Sequence, residues 1–165
     1  MTFRLAGVAA LALLLASPAV ATAQDVASQM VGVWKRTGFV QKIVATGETS
    51  KAQGDNPSGM LIFSRGGHFT WINIAGDRKS PASLPPPDAE RLYLYNTSGS
   101  GAGTHKVNGD KATILYTASS NQAWTGTERV TTVQVSGKVL TWTSPPFKTL
   151  DGKDATGTQT FERLE

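Results

Sequence analysis

Beyond residue 30 the chain is built from segments of about 6 to 12 residues, rich in threonine, valine and aromatics and separated by Gly, Asn, Ser and Asp turns. Eight such strands are predicted, over residues 32–43, 59–64, 67–74, 103–108, 111–118, 126–135, 138–143 and 156–163. Residues 80–100 interrupt the series. Pro81, Pro85, Pro86 and Pro87 forbid a regular strand there, while residues 88–95 fit a short capped helix. The stretch is expected to form a helix and loop lid across one barrel mouth, with residues 98–103 as a flexible connection. No internal repeat is visible.

The turns assign faces to the strands. A two-residue type I′ turn at Asn108-Gly109 would set Val107 opposite Asp110 and His105 opposite Ala112. His105, Val107, Ala112, Ile114 and Tyr116 then share one face. Ser136-Gly137, treated alike, sets Val133 opposite Leu140 and Thr131 opposite Trp142, so that Arg129, Val133, Leu140 and Trp142 share a face. Gly66-Gly67 suits a three-residue loop that gathers Leu61, Phe63, Phe69, Trp71 and Asn73 on one side. The expected class is therefore all-β, an eight-stranded antiparallel up-and-down barrel. Such a barrel is just wide enough to be filled by side chains or to hold one small ligand. The candidate ligand-binding set is Phe63, Phe69, Trp71, Asn73, His105, Tyr116, Arg129 and Trp142. The alternative is a filled core in which Trp71 and Trp142 pack and the polar groups satisfy one another.

Composition adds the compartment. Arg4, an apolar run over residues 5–15 and the small-residue site Ala21-Thr22-Ala23 read as a cleaved export signal over residues 1–23. The mature domain would span residues 24–165, in a bacterial periplasm or outside the cell, with no membrane anchor left after cleavage. There is no cysteine, so neither disulfides nor thiol chemistry enter. The net charge of +4 becomes +3 once Arg4 is removed, and no basic run suggests nucleic acid.

Two ends of the chain are informative together. Gly32-Val33-Trp34 opens the first strand and Arg163 ends the last, an arrangement that would close the barrel floor by stacking Arg163 on Trp34. With Met30-Val31 before it, and with Gly59-Met60-Leu61-Ile62-Phe63, Gly67, Trp124-Thr125-Gly126-Thr127 leading to Arg129, Gly137-Lys138-Val139-Leu140-Thr141 and Phe161-Glu162-Arg163, the chain resembles the lipocalin-like domain family of small bacterial and fungal proteins, within the calycin superfamily. The resemblance implies a barrel with an interior cavity for a small, largely apolar molecule. It implies no single activity, since some fungal relatives act as isomerases or cyclases. The chain departs from that pattern at His105, where relatives often carry Tyr, at Thr113-Ile114-Leu115, where they carry a histidine, and at Arg36, near which they carry a leucine. Arg36 shares the Trp34 face by alternation and places an unusual charge near the barrel floor.

Three functions stay open on these residues. The first is binding of a small hydrophobic or amphipathic molecule, with Arg129, which cannot sit unpaired on an apolar face, recognising a carboxylate or carbonyl. The second is an isomerase or cyclase that needs at least two of His105, Tyr116 and Arg129 at one cavity atom. The third is a filled barrel with a structural or interaction role. No cofactor or metal is expected. His68 and His105 lie in different strands without an acidic cluster, residues 99–103 lack the strand and helix of a dinucleotide loop, and residues 151–154 lack the further acidic ligands of a calcium loop.

Overall fold

The computed structural model describes residues 25–149 and 151–165; the proposed export signal over residues 1–23 lies outside them. Asp25 caps a five-residue helix, α1 (Val26–Met30), by accepting a hydrogen bond from the Ala27 amide at 3.1 Å. The strands follow as β1 (Gly32–Ile43), β2 (Thr49–Ser50), β3 (Ser58–Phe63), β4 (His68–Ile74), β5 (Ser98–Asn108), β6 (Lys111–Ser119), β7 (Glu128–Ser136), β8 (Val139–Thr143), β9 (Phe147–Lys148) and β10 (Asp154–Arg163). A second helix, α2 (Asp88–Asn96), separates β4 from β5. Every pairing is antiparallel, in the order β1-β3-β4-β5-β6-β7-β8-β10, and β10 returns to pair with β1. The sheet is thus a closed barrel of eight long strands, with β2 and β9 as two-residue additions on β1 and β10. Closure leaves no exposed edge among the eight.

The two ends of the barrel differ. Short turns between β3 and β4, β5 and β6, and β7 and β8 gather at one end, together with α1 and the chain's end at Glu165. The long connections all lie at the other, which is therefore the mouth. Buried side chains alternate along the strands with period two: Trp34 on β1, Leu61 and Phe63 on β3, Ala112, Ile114 and Tyr116 on β6, and Leu140 and Trp142 on β8. α1 seals the floor, with Met30 fully buried and its carbonyl accepting from Trp34 Nε1 at 2.7 Å.

Both hairpin turns differ from expectation by the same step. Asn108 pairs with Lys111 and Ser136 with Val139, so the loops are Gly109-Asp110 and Gly137-Lys138, each with glycine first at positive φ, 59° and 57°. Glycine in the first position is the mark of a type II′ turn, whereas the expected type I′ turn has it second. His105 therefore faces Ile114, and Val133 faces Trp142. A shift of two residues preserves the side-chain period, so every expected face stands.

A further correction concerns residues 98–103. They are the first half of β5, and Gly99, Gly101 and Gly103 lie opposite Asn73, Trp71 and Phe69. A Cβ on Gly101 would sit 2.8 Å from Tyr116 Cε1 and 2.9 Å from Trp71 Nε1. Gly99 and Gly101 are thus positions at which the rings of Trp71 and Tyr116 approach the backbone, while at Gly103 the backbone of Leu115 itself comes close. The helix α2 has no buried residue, and of the expected lid only residues from Asn96 onward reach the barrel interior, so this segment borders the mouth.

Candidate functional site

A cavity of about 680 Å³ occupies the mouth half of the barrel. Its wall is aromatic, formed by Trp71, Tyr116, Trp124 and Trp142 on one side and Phe39 and Phe147 on the other. Trp124 comes from a single 3-10 turn over Gln122–Trp124 and lies 5.5 Å from Tyr116 and 6.3 Å from Trp71, ring centre to ring centre. Phe39 enters through a bulge at Thr37. Arg36 pairs with Phe161 and Gly38 with Thr160, so one residue is skipped and both Arg36 and Phe39 face inward.

The eight candidate residues divide between floor and cavity. Trp71, Asn73, Tyr116, Arg129 and Trp142 line the cavity. Phe63, Phe69 and His105 do not: they lie close to the tight turns, where their rings pack against one another. Phe63 stacks on Trp142 at 5.8 Å and lies near Phe69 at 6.3 Å, and His105 meets the Phe63 ring edge-on at 4.9 Å. Burial and the neighbouring His68 push the His105 imidazole below its ordinary range. Ring-on-ring packing thus characterises the end with the tight turns, while the mouth half holds open volume.

Barrel closure is structural. Arg163 lies over the Trp34 ring at 4.0 Å and donates to the carbonyls of Val31 at 2.8 Å, Glu165 at 3.1 Å and Gln29. Gly32 has φ 139°, and a Cβ there would collide with the Glu165 carbonyl and come within 2.7 Å of Arg163 Nη1. Glycine is required because the chain's end crosses directly over it.

Charge is distributed unevenly in the cavity. Arg129, near the mouth end of β7, stacks on Trp124 at 4.7 Å. Arg36 lies on the floor side, two residues along β1 from Trp34, and is only 1% exposed. Its Nε, Nη1 and Nη2 have no hydrogen-bond partner among the described residues, and its guanidinium carbon is 5.3 Å from the Phe39 ring centre. Burial alone lowers its pKa to about 10, so it stays charged at neutral pH. Lys148 and Asp154 at the rim pair with each other at 2.9 Å, and Asp154 is the only acidic residue among the described lining. Two guanidinium charges are therefore uncompensated within the wall.

Uncharged polar groups complete the wall. Asn73 donates to Gln159 Oε1 at 2.7 Å, leaving Asn73 Oδ1 and Gln53 Oε1 buried without partners. Burial raises the Tyr116 hydroxyl above its ordinary range, against opposing contributions from Trp71 and Arg129. No group of three or more potential metal ligands occurs among the described residues. No described helix is long and apolar enough to cross a membrane.

Alternation along β1 places Arg36 on the interior side, but its isolation is visible only in the assembled wall. Phe39 and Phe147 carried no signal of their own, and Trp124 stood out only in the Trp124-Thr125-Gly126-Thr127 motif and not as a wall residue. The first depends on a bulge and the others lie in or beside loops.

A family model described as a lipocalin-like domain matches residues 31–164. A search of curated proteins found no match. A barrel of this kind is a fold suited to small-molecule binding in general.

Proposed function

Because the chain belongs to the lipocalin-like domain family, we propose that it is an exported protein that binds a small hydrophobic or amphipathic molecule inside its barrel. The observation that carries the proposal is the aromatic cavity of about 680 Å³ in the mouth half. A volume of this size falls within the range of about 300–1,000 Å³ that holds drug-sized molecules, and the wall combines aromatic side chains with polar groups able to orient a ligand. Export would be directed by residues 1–23 and is tested by the intact mass of the exported protein, expected to begin at Gln24.

Binding is tested with the neutral fluorescent probe N-phenyl-1-naphthylamine. Three of the four tryptophans line the cavity, so probe emission should rise while tryptophan emission is quenched, and Trp71→Ala should abolish the response. A natively folded protein that leaves both signals unchanged would sink the proposal.

A second reading, an isomerase or cyclase in the same cavity, draws on Tyr116 and Arg129, which both line it. The raised hydroxyl of Tyr116 would act as a proton donor toward a developing oxyanion. Turnover of a bound molecule that is lost in Tyr116→Phe, with binding retained, would favour this second reading.

A further inference from the structure

Resting on the binding reading above, we propose that the ligand is a monocarboxylate that enters head-first and pairs with Arg36 on the floor side of the cavity. The argument begins with isolation. All three guanidinium nitrogens of Arg36 are buried and unpartnered among the described residues, and the side chain lines the cavity. A buried cation without hydrogen bonds is destabilising, and it becomes tolerable when an anion completes it. Phe39, whose ring centre lies 5.3 Å from the guanidinium carbon, presents a ring face but no acceptor oxygen. The one acidic residue in the described wall is already occupied by Lys148 at the rim.

The geometry also selects the head group. A single guanidinium offers a planar pair of donors that matches the two oxygens of a carboxylate, and one unit charge on each side leaves no residual charge on the floor side, Arg129 lying toward the mouth. A phosphate dianion would leave one negative charge buried on the floor side. The other guanidinium, Arg129, lies toward the mouth and stacks on Trp124, so it attracts an anion during entry. Between the two, Trp71, Tyr116 and Trp142 form walls suited to a flat, unsaturated body.

The test compares cis-parinaric acid, a fluorescent polyene acid, with its methyl ester by titration at pH 7.5. Arg36→Met and Arg36→Gln, each shown by near-ultraviolet circular dichroism to keep the native fold, are titrated alongside. The acid is expected to bind the unaltered protein about 10- to 100-fold more tightly than the ester, the range of a charge-assisted hydrogen-bonded pair. In both variants acid and ester should bind with equal affinity. Equal binding of acid and ester to the unaltered protein overturns the assignment while the binding reading stands. A preference for acid that survives in both variants also overturns it and moves the anion to Arg129. Failure of acid, ester and the neutral probe alike removes both proposals together.

Discussion

Replacing Arg36 by methionine should make the ligand-free protein more stable, the reverse of what is expected for most substitutions at a fully buried site. Burial holds the guanidinium at about 10, well below its ordinary value, and each tenfold change in protonation corresponds to about 1.4 kcal/mol, so the buried charge costs about 3 kcal/mol. The ring of Phe39 at 5.3 Å offsets about 0.5–1 kcal/mol of this. Methionine fills the space of the aliphatic stem and needs no partner. The net gain is about 2–3 kcal/mol, or roughly 4–12 °C in Tm for a domain of this size. Because the folded value lies below the unfolded one, the penalty is fully present below about pH 10 and fades as pH rises through it, so the gap between the two proteins should be flat through neutrality and close in strong alkali. Thermal melts followed by circular dichroism at several pH values measure this directly. Saturating carboxylate should narrow the gap by about 1–2 kcal/mol, since ligand at 100 times Kd adds about 2.7 kcal/mol to the unaltered protein and less to a variant that binds it 10- to 100-fold more weakly. A ligand-free Arg36→Met protein that melts below the unaltered one at neutral pH would refute the reasoning.

Arg163→Met removes the stack on Trp34 and three carbonyl contacts, and should cost about 2–4 kcal/mol by chemical denaturation while leaving probe affinity within about twofold. Gly101→Ala drives a methyl group against Tyr116 and Trp71, so it should destabilise the fold by about 1–3 kcal/mol and weaken the probe, both readable by calorimetry. His105 is held neutral in the fold by burial and by His68, so the unfolded chain binds more protons as pH falls below about 6.5, and stability should drop there. Thermal melts at pH 7.5 and 5.5 should show a smaller difference in His105→Phe than in the unaltered protein.

The faces of the strands were legible because a closed sheet punishes one-residue errors and forgives two-residue ones. Both hairpins turn one position later than expected, yet Val133 and Trp142, or His105 and Ile114, still share the interior. Residues 98–103 were misjudged because glycine has little strand propensity. The period-two spacing of Gly99, Gly101 and Gly103 was the available sign of a strand face kept bare for close approach, by the rings of Trp71 and Tyr116 at Gly99 and Gly101 and by the Leu115 backbone at Gly103.

The candidate site was legible in part. Trp71, Asn73, Tyr116, Arg129 and Trp142 surround the cavity, while Phe63, Phe69 and His105 pack the floor. All eight share the interior face, and alternation cannot separate them, because it reports which side of the sheet a residue faces and not its height along the barrel axis.

By itself the order of residues determined the all-β class, the inward and outward faces, the closing pair of Trp34 and Arg163 and the presence of Arg36 on the interior side. These are local matters, set by a period of two, by turn residues and by the two chain ends. Only the tertiary structure decided where the barrel is filled and where it is open, that a bulge at Thr37 turns Phe39 inward, and that no carboxylate reaches Arg36 among the described residues. Those outcomes depend on strands distant in sequence meeting across the interior, and whether a buried charge has a partner is a property of the assembled wall.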